Sequence, residues 1–446
     1  MTIHTIGEIC NINALSIRKG EHPKQILYLD TANLVEGRIC KLQEINFADA
    51  PSRAQRKINN DTILYSSVRP NLKHFGIMKS MPSNVIVSTG FITLDVKDKS
   101  LFSPEYIYYL LTQQGVVDYL QGIAQNGVSA YPSINPSDIA NLKFNFPSLS
   151  DQEHIASVLT NIDRKIALNR QINDNLEAMA KQLYDYWFVQ FDFPNEEGKP
   201  YKSSGGAMVW NDKLKREIPQ GWSNGVLSDV ANITMGQSPD GSSYNEDGEG
   251  IIFYQGSTDF GLRFPNIRQY TTSPSRYANK GDILMSVRAP VGALNIANND
   301  CCIGRGLSAL SSKIGSMTHL YYLMNDFRLK FEGMNSAGTT FGSITKDELF
   351  SLPVIIPTKS VISEFEQVCE PIFDKQMIIG EEINALTKQR DELLPLLMNG
   401  QASVNYHLSI RIKPLEILPY SIFFLNFAKL WRSKPIVKGR IHKSDI

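Results

Sequence analysis

The sequence lacks the features of several common protein classes. It contains only five cysteines in 446 residues and no Cys-x-x-Cys motif, which argues against a disulfide framework and against a zinc ribbon. The first residues, MTIHTIGEIC, contain neither a basic start nor a long apolar run, so we predict no signal peptide and a cytoplasmic location. We expect the cysteines to be reduced thiols in the protein core; they are Cys10, Cys40, Cys301, Cys302 and Cys369.

Motifs of catalysis are also missing. Neither the phosphate-binding pattern G-x-x-x-x-G-K-[ST] nor the Asn-Pro-Pro-aromatic or Asp-Pro-Pro-aromatic tetrapeptide of amino-methyltransferases occurs. The isolated G-x-G fragments at 248–250 and 304–306 predict turns. Asp192, with Glu197 and Lys199, weakly matches a D…E-x-K nuclease pattern, but its place in one short polar loop favours a solvated linker. The seven histidines show no paired ligand spacing, so we predict neither catalytic residues nor a metal site.

The charge is balanced overall, with 45 basic and 45 acidic residues, so a polyanionic partner must be bound by local patches. Residues 149–188 carry six acids against four bases, and residues 358–400 carry eight acids against four bases. These two segments are therefore poorly suited to contact the phosphates of DNA, which are bound mainly by arginine and lysine.

Basic and amide side chains instead concentrate in loop-like sequence within each half of the chain. Arginine, glutamine and asparagine can read base edges through paired hydrogen bonds. Arg53 recurs at Arg276, and Arg69 recurs at Arg288, which leaves open whether they read bases, hold phosphates or buttress the fold. The candidate DNA-binding residues are Arg53, Gln55, Arg56, Lys57, Arg69, Asn71, Lys73, His74, Arg263, Arg268, Arg276 and Arg288.

An internal repeat organises the chain. Ser133, Ile134 and Pro147 fall 210 residues before Ser343, Ile344 and Pro357, and matches further upstream occur in the same order in both halves. Short runs rich in β-forming residues alternate with Gly, Pro, Asn and Asp in each half, which indicates two compact α+β domains.

A long helical pattern follows each copy of the repeat. Apolar residues recur at steps of three and four, in the same heptad phase in both copies because 210 is a multiple of seven. The alternative is an amphipathic helix lying on a core, but two equivalent helices can cover each other's apolar stripes. We predict that Pro371 kinks or interrupts the second helix and that Pro395 marks its end.

Several of these segments resemble the specificity subunits of Type I restriction-modification systems. The resemblance covers roughly residues 1–404 and rests on the order of domains and helices and on four stretches of sequence. These stretches are APSRAQRK at 50–57, VRPNLKHFG at 68–76, LYDYWFVQFDF at 183–193 and LLPLLMNGQ at 393–401.

The resemblance implies an α+β fold with two pseudo-symmetric globular target-recognition domains separated by two long antiparallel coiled-coil helices. The expected segments are a first target-recognition domain at 1–148, a central conserved helix at 149–190, a linker at 191–217, a second target-recognition domain at 218–357, a distal conserved helix at 358–400 and an atypical basic tail at 401–446. After residue 400 there are eight bases against two acids. A terminal extension, a rearranged end and a docking arm all remain open for this tail, and we favour the rearranged end.

The resemblance also implies a function without catalysis by this chain. Each domain would read one half of a split, double-stranded DNA target. The partners would be two modification subunits, which methylate adenine with S-adenosylmethionine, and restriction subunits that use ATP and Mg²⁺, whereas this chain would hold no cofactor and contact no membrane. Two alternatives differ in class: a fused enzyme that reads and modifies DNA itself, and a repeat scaffold that binds only protein.

Overall fold

The structure is a computed structural model that describes residues 2–401 except 19, 22, 127–131 and 337–341; the predicted tail from 402 onward lies outside the described residues. The described chain divides into two compact units, one containing residues 2–169 and 383–401 and the other residues 170–382. The long helices α5 (Leu149–Tyr184) and α9 (Lys359–Met398) each contribute one part to each unit.

The first unit contains two four-stranded sheets, ordered β6-β3-β10-β7 and β2-β11-β8-β9, and the pair β1-β12. Its strands are β1 (Thr2–Thr5), β2 (Cys10–Ile12), β3 (Gln25–Leu29), β4 (Leu34–Val35), β5 (Arg38–Ile39), β6 (Gln43–Asn46), β7 (Ala54–Lys57), β8 (Ile63–Ser66), β9 (Phe75–Ile77), β10 (Val85–Ser88), β11 (Phe91–Val96) and β12 (Lys143–Phe146). Its shorter helices are α1 (Ile6–Ile9), α2 (Pro104–Thr112), α3 (Gln114–Gln125) and α4 (Pro136–Ala140).

The second unit has a four-stranded sheet ordered β16-β24-β21-β22, a five-stranded sheet ordered β17-β19-β18-β23-β20, and the pairs β13-β14 and β15-β25. Its strands are β13 (Met208–Asn211), β14 (Arg216–Pro219), β15 (Ser223–Val226), β16 (Ala231–Met235), β17 (Tyr244–Asn245), β18 (Ile251–Tyr254), β19 (Gln269–Thr271), β20 (Tyr277–Ala278), β21 (Ile283–Ser286), β22 (Leu294–Ile296), β23 (Cys301–Ile303), β24 (Leu307–Ser312) and β25 (Pro353–Ile356). Its shorter helices are α6 (Leu227–Val230), α7 (Met317–Ser336) and α8 (Lys346–Phe350).

The two domains repeat one strand register. In the first, β8 pairs antiparallel with β11 so that Ile63 faces Leu94, and in the second, β21 pairs with β24 so that Ile283 faces Leu310. The pair β1-β12 and the pair β15-β25 match in the same way, because β25 lies 210 residues after β12. The predicted α+β class and the predicted repetition of one domain are therefore confirmed.

The central strands are apolar throughout because both of their faces are buried. Alternate residues of a strand point to opposite faces. Ile63 and Tyr65 belong to one core cluster, which also includes residues of α2, whereas Leu64 belongs to a separate cluster on the other face. In the second domain, Ile283 and Leu284 divide in the same way between two clusters.

The long helices run antiparallel to each other within each unit. In the second unit, Asn173 on α5 donates a hydrogen bond to the backbone of Gln376 on α9, and further along α5 the ring of Tyr184 contacts that of Phe365. The residue number therefore falls along α9 as it rises along α5. In the first unit, Asp163 of α5 forms an ion pair with Arg390 of α9.

The predicted end of the second long helix at Pro395 is wrong, and the interruption predicted as one possible effect of Pro371 does not occur. The helix α9 is continuous from Lys359 to Met398, so Pro371 does not interrupt it and Pro395 does not end it. A proline inside a helix leaves the carbonyl group four residues earlier without its hydrogen bond. Both prolines lie on the exposed side of α9, where water can bond that carbonyl group.

The prediction of a solvated linker is wrong for Asp192, although Glu197 and Lys199 of the same segment are exposed. Asp192 is buried and accepts hydrogen bonds from the backbone nitrogen and the hydroxyl of Ser203, at 2.7 and 2.6 Å. The neighbouring rings of Phe191 and Phe193 pack against Trp222, with centroids 5.6 and 5.1 Å away. These aromatic contacts hold the segment to the folded unit.

The cysteine prediction holds for four of the five residues. Cys10, Cys301, Cys302 and Cys369 are buried free thiols, and burial raises the pKa of Cys10 to about 12. Cys40 is exposed, contrary to the prediction, because it follows the two-residue strand β5 in a surface loop.

Candidate nucleic-acid interface

Five of the twelve candidate DNA-binding residues are exposed arginines, and of these five only Arg268 is ion-paired within the described residues. The other four are Arg53, Arg69, Arg276 and Arg288. Within the described residues, no hydrogen bond or ion pair engages their side chains. Their guanidinium groups are therefore available to bind a polyanion.

Arg53 and Arg276 occupy the same position in the two domains. Each precedes the strand at one edge of its sheet, β7 in the first domain and β20 in the second. The carbonyl oxygen of Arg53 accepts a hydrogen bond from the backbone of Thr89, at 2.8 Å, and that of Arg276 accepts one from Ile303, at 2.9 Å. In both domains this hydrogen bond holds the backbone of the arginine at the end of the neighbouring strand.

Arg69 and Arg288, in contrast, are not equivalent, and their predicted correspondence is wrong by one residue. The backbone nitrogen of Arg69 donates to the carbonyl of Pro132, whereas the nitrogen that donates to Gly342, 210 residues later, belongs to Ala289. The second domain has one more residue between its valine and its proline, which shifts the register. Arg69 also adopts a left-handed backbone conformation, with φ of 49°.

The second domain gathers three basic residues around one pocket, which we call the basic pocket. Its volume is about 380 Å³. Arg288 precedes the turn after β21, Arg305 lies in the turn between β23 and β24, and Lys346 is the first residue of α8. None of the lining residues is acidic; they are Met235, Val287, Arg288, Arg305, Gly342, Ser343, Ile344, Thr345 and Lys346.

Glycines shape the turn that carries Arg305. A Cβ atom on Gly306 would lie 2.7 Å from the carbonyl oxygen of Gln255, and one on Gly236 would lie 2.2 Å from that of Gly304. The Gly-Arg-Gly fragment is a turn, as predicted, but sequence reasoning did not assign Arg305 or Lys346 to the interface. The Gly-Arg-Gly fragment could have indicated Arg305, because a turn formed by two glycines exposes the arginine between them.

Four of the six other candidates of the first domain have side chains engaged in bonds within the domain. Lys57 forms an ion pair with Glu21, and Lys73 forms one with Glu36 at 3.3 Å. Gln55 Nε2 donates to the Ser52 carbonyl, and His74 Nδ1 contacts the Leu34 carbonyl. The backbone nitrogen of Asn71 donates to Gln121 Oε1. Arg56 is half-buried, and burial lowers the pKa of its guanidinium.

Two candidates of the second domain lie away from the basic pocket. Arg268 forms an ion pair with the buried carboxylate of Asp259, which accepts hydrogen bonds from the backbone nitrogens of Gln255 and Gly256. The guanidinium of Arg263 is almost fully buried and forms an ion pair with Glu177 of α5. Neither residue lines the pocket with Arg288.

The described part of the chain contains neither a cluster of metal ligands nor a membrane-spanning helix. No three His, Cys, Asp or Glu side chains there come together as a possible metal site. No described helix has the length and apolar character needed to cross a membrane.

Known proteins share this architecture. The family model for the Type I restriction modification DNA specificity domain matches residues 2–178 and 219–392. The putative type I restriction enzyme MjaX specificity subunit of Methanocaldococcus jannaschii is 32% identical over 354 residues, covering 77% of this chain and 78% of the relative. The type I restriction enzyme HindI specificity subunit of Haemophilus influenzae is 23% identical over 434 residues, covering 84% and 94%.

A solved structure agrees on the fold. The crystal structure of a Type I restriction-modification system S subunit from M. genitalium superposes with a TM-score of 0.53 at 15% identity, and the alignment covers 89% of this chain and 96% of that one. Since the family match spans both domains and most of both long helices, this chain belongs to the DNA specificity subunits of Type I restriction-modification systems.

Proposed function

We propose that this chain is the non-catalytic subunit that gives a Type I complex its DNA sequence specificity, with one domain reading each half of a split target. One observation carries the proposal: the two domains repeat a strand register but differ in the basic residues they expose. Lys346 of the basic pocket corresponds to Pro136, 210 residues earlier, and Arg288 corresponds by backbone pairing to Val68. A common scaffold with different surfaces suits two readers of different sequences.

The basic pocket is the proposed phosphate or base contact of the second domain. Three positive side chains without an acidic neighbour in the lining favour a polyanion over a neutral ligand. The side chains of Arg288 and Arg305 are also long enough to reach a guanine edge, and their forked guanidinium groups can form two hydrogen bonds with it. In the first domain, we propose that the exposed Arg53 and Arg69 contact the phosphates or bases of DNA.

Replacing Arg288, Arg305 or Lys346 by alanine is expected to weaken DNA binding by the assembled complex. A lost phosphate contact should lower affinity for all sequences and reduce the slope of log affinity against log salt by about 0.9. A lost base contact should instead reduce discrimination at one position by about 1–3 kcal/mol. DNA binding by the complex would be measured at several salt concentrations, once with the sequence that the complex methylates and once with a scrambled sequence.

Lys199→Ala is the matched control for these variants. Lys199 is an exposed lysine that pairs with Glu197 outside the pocket, and its loss should leave the salt slope unchanged. If all three pocket variants bound like the control, the pocket would not be a DNA contact.

The test of two separate readers is an exchange of domains. Residues 1–148 would be replaced by the corresponding domain of another specificity subunit, and methylated adenines would be mapped across the genome. One half of the methylated sequence should change while the other half and its reader remain. A simultaneous change of both halves would contradict the assignment of one domain to each half.

The proposed partners are two modification subunits that bind S-adenosylmethionine and methylate adenine, and restriction subunits that use ATP and Mg²⁺. The names of the relatives, specificity subunits of restriction enzymes, support this assembly. A methylation assay on the purified chain alone distinguishes it from a fused enzyme, because we expect activity only after addition of the modification subunits. Selection of one sequence from a random DNA pool distinguishes it from a protein-binding scaffold.

A further inference from the structure

One loop of the second domain contacts both long helices within the second unit. This loop contains Arg263, whose side chain is only 9% exposed. Its Nη1 atom lies 3.3 Å from Glu177 Oε2 on α5, and its Nη2 atom lies 3.0 Å from Gln376 Oε1 on α9. A single guanidinium thus joins the domain to both helices.

The two helices also bond to each other at this point. The amide nitrogen of Gln376 donates to the same oxygen of Glu177, at 2.8 Å, and Gln376 is fully buried. The rings of Tyr321 and Phe373 lie 5.6 and 5.2 Å from the guanidinium carbon of Arg263. The planar guanidinium therefore has a narrow range of positions in which it can keep both hydrogen bonds and both ring contacts.

Phe264, the residue after Arg263, provides independent evidence that the sequence encodes this contact between the domain and the helix. Phe264 is buried, and its ring occupies the space beside Gly380 of α9: a Cβ atom there would lie 2.6 Å from the ring. Glycine is unfavourable inside a helix because of its backbone entropy. The 40-residue helix α9 contains one at this position, where only glycine admits the ring.

A buried ion pair is a poor source of stability but can select one arrangement of the groups it joins. Here the arginine is the buried member, since 35% of the Glu177 side chain is exposed, and displacement would leave the Arg263 charge buried without its partner. The contact of Arg263 with two helices at once should therefore penalise rotation or sliding of the second domain on them. Sequence reasoning grouped Arg263 with the DNA contacts, but its bonds are directed into the domain–helix contact.

We infer that Arg263 is a positioning residue, which fixes the second domain on the helix pair through Glu177 and Gln376 and thereby restricts the spacer length that the complex accepts between the half-sites. The inference rests on the proposed function. It requires no contact between Arg263 and DNA.

The test uses the full chain assembled with its modification subunits and a series of targets whose spacers differ by one base pair. The variant Arg263→Met keeps an unbranched chain between Tyr321 and Phe373 but removes the charge and both hydrogen bonds. We expect methylation of the preferred target to fall by about 100-fold in kcat/KM, because a displacement of about 1 Å can have such an effect. For targets whose spacer is one base pair longer or shorter, kcat/KM should rise relative to that of the preferred target.

Lys280→Ala is the matched control. Lys280 also links the second domain to α9, through an ion pair with Glu381, but both side chains are more than half exposed. Loss of this ion pair should therefore leave the spacer profile unchanged. Thermal unfolding of each variant tests that it is folded, and Glu177→Gln, which keeps an acceptor but removes the partner charge, should shift the spacer profile in the same direction.

The outcomes separate the alternatives. A spacer profile and a rate like those of the parent in folded Arg263→Met would overturn the inference. A lower affinity for an isolated second half-site would also overturn it, because Arg263 would then be a DNA contact. If the parent complex methylated no specific sequence, the proposed function itself would fail, whatever the variants did.

Discussion

Replacing Asp163 by alanine should lower the free energy of unfolding of the first unit by about 3 kcal/mol. Asp163 on α5 accepts a hydrogen bond from the Tyr109 hydroxyl at 2.6 Å and pairs with Arg390 of α9 at 3.2 Å. Tyr109 is buried, and only 14% of the Arg390 side chain is exposed, so the variant leaves two buried polar groups with one partner fewer. We take the lower end of the usual range because Asp391 still pairs with Arg390.

The measurement is hydrogen exchange in the first unit, whose residues include no tryptophan and are silent in tryptophan fluorescence. Asp163→Asn, which keeps the acceptor for Tyr109 but loses the charge, should fall between the parent and Asp163→Ala. Lys388→Ala is the control on α9: its ion pair with Glu392 is exposed and should contribute less than about 1 kcal/mol. Equal effects of Asp163→Ala and the control would contradict the assigned role.

Acid should destabilise the second unit through His319. This residue of α7 is 2% exposed, with its ring 4.5 Å from that of Phe188, and burial lowers its pKa to about 3. Below the ordinary histidine pKa of 6.5 the unfolded chain takes up a proton that the folded chain refuses. The stability is therefore complete above that pH and is lost as the pH falls toward 3, by about 3 kcal/mol at pH 4.5.

His319→Phe should remove this pH dependence and keep the aromatic contacts with Phe188 and Tyr184. Urea unfolding at pH 7 and pH 4.5, followed by the fluorescence of the buried Trp187 and Trp222, measures the effect in this unit. Burial raises the pKa of the nearby Glu366, which has the opposite effect on stability in acid. Because both proteins contain Glu366, the difference between them isolates His319; equal acid sensitivity would contradict the prediction.

The parts of the fold that could be predicted from sequence are those encoded locally or by repetition. The shared ending of the two halves, from Ser133 to Pro147 and again 210 residues later, predicted two copies of one domain. The heptad pattern predicted the long helices because an apolar stripe is a property of neighbouring residues. That Pro371 does not interrupt α9 could not be predicted, because its exposed surroundings on the helix are not visible in the local sequence.

The candidate site was less predictable because it depends on residues far apart in the chain. Arg263 was predicted to be a DNA contact, yet its side-chain partners Glu177 and Gln376 lie 86 and 113 residues away in the sequence. The three basic residues of the pocket likewise come from separate segments, which lie after β21, before β24 and at the start of α8. Sequence similarity also aligned Arg69 with Arg288, and only the backbone hydrogen bonds revealed the shift of one residue.

The division of α9 between the two units has a consequence for synthesis on the ribosome. Leu394 and Leu397 of α9 belong to the same core cluster as Leu159 of α5, and Leu394 follows Leu159 by 235 residues (394 minus 159). At about 5–20 residues per second, the ribosome needs roughly 12–47 s to produce that length. During this interval the nascent first domain exposes an apolar surface that only the end of α9 will cover. Chaperones and proteases should therefore bind it for longer than they bind the second domain, because the described residues of the second unit end at Glu382.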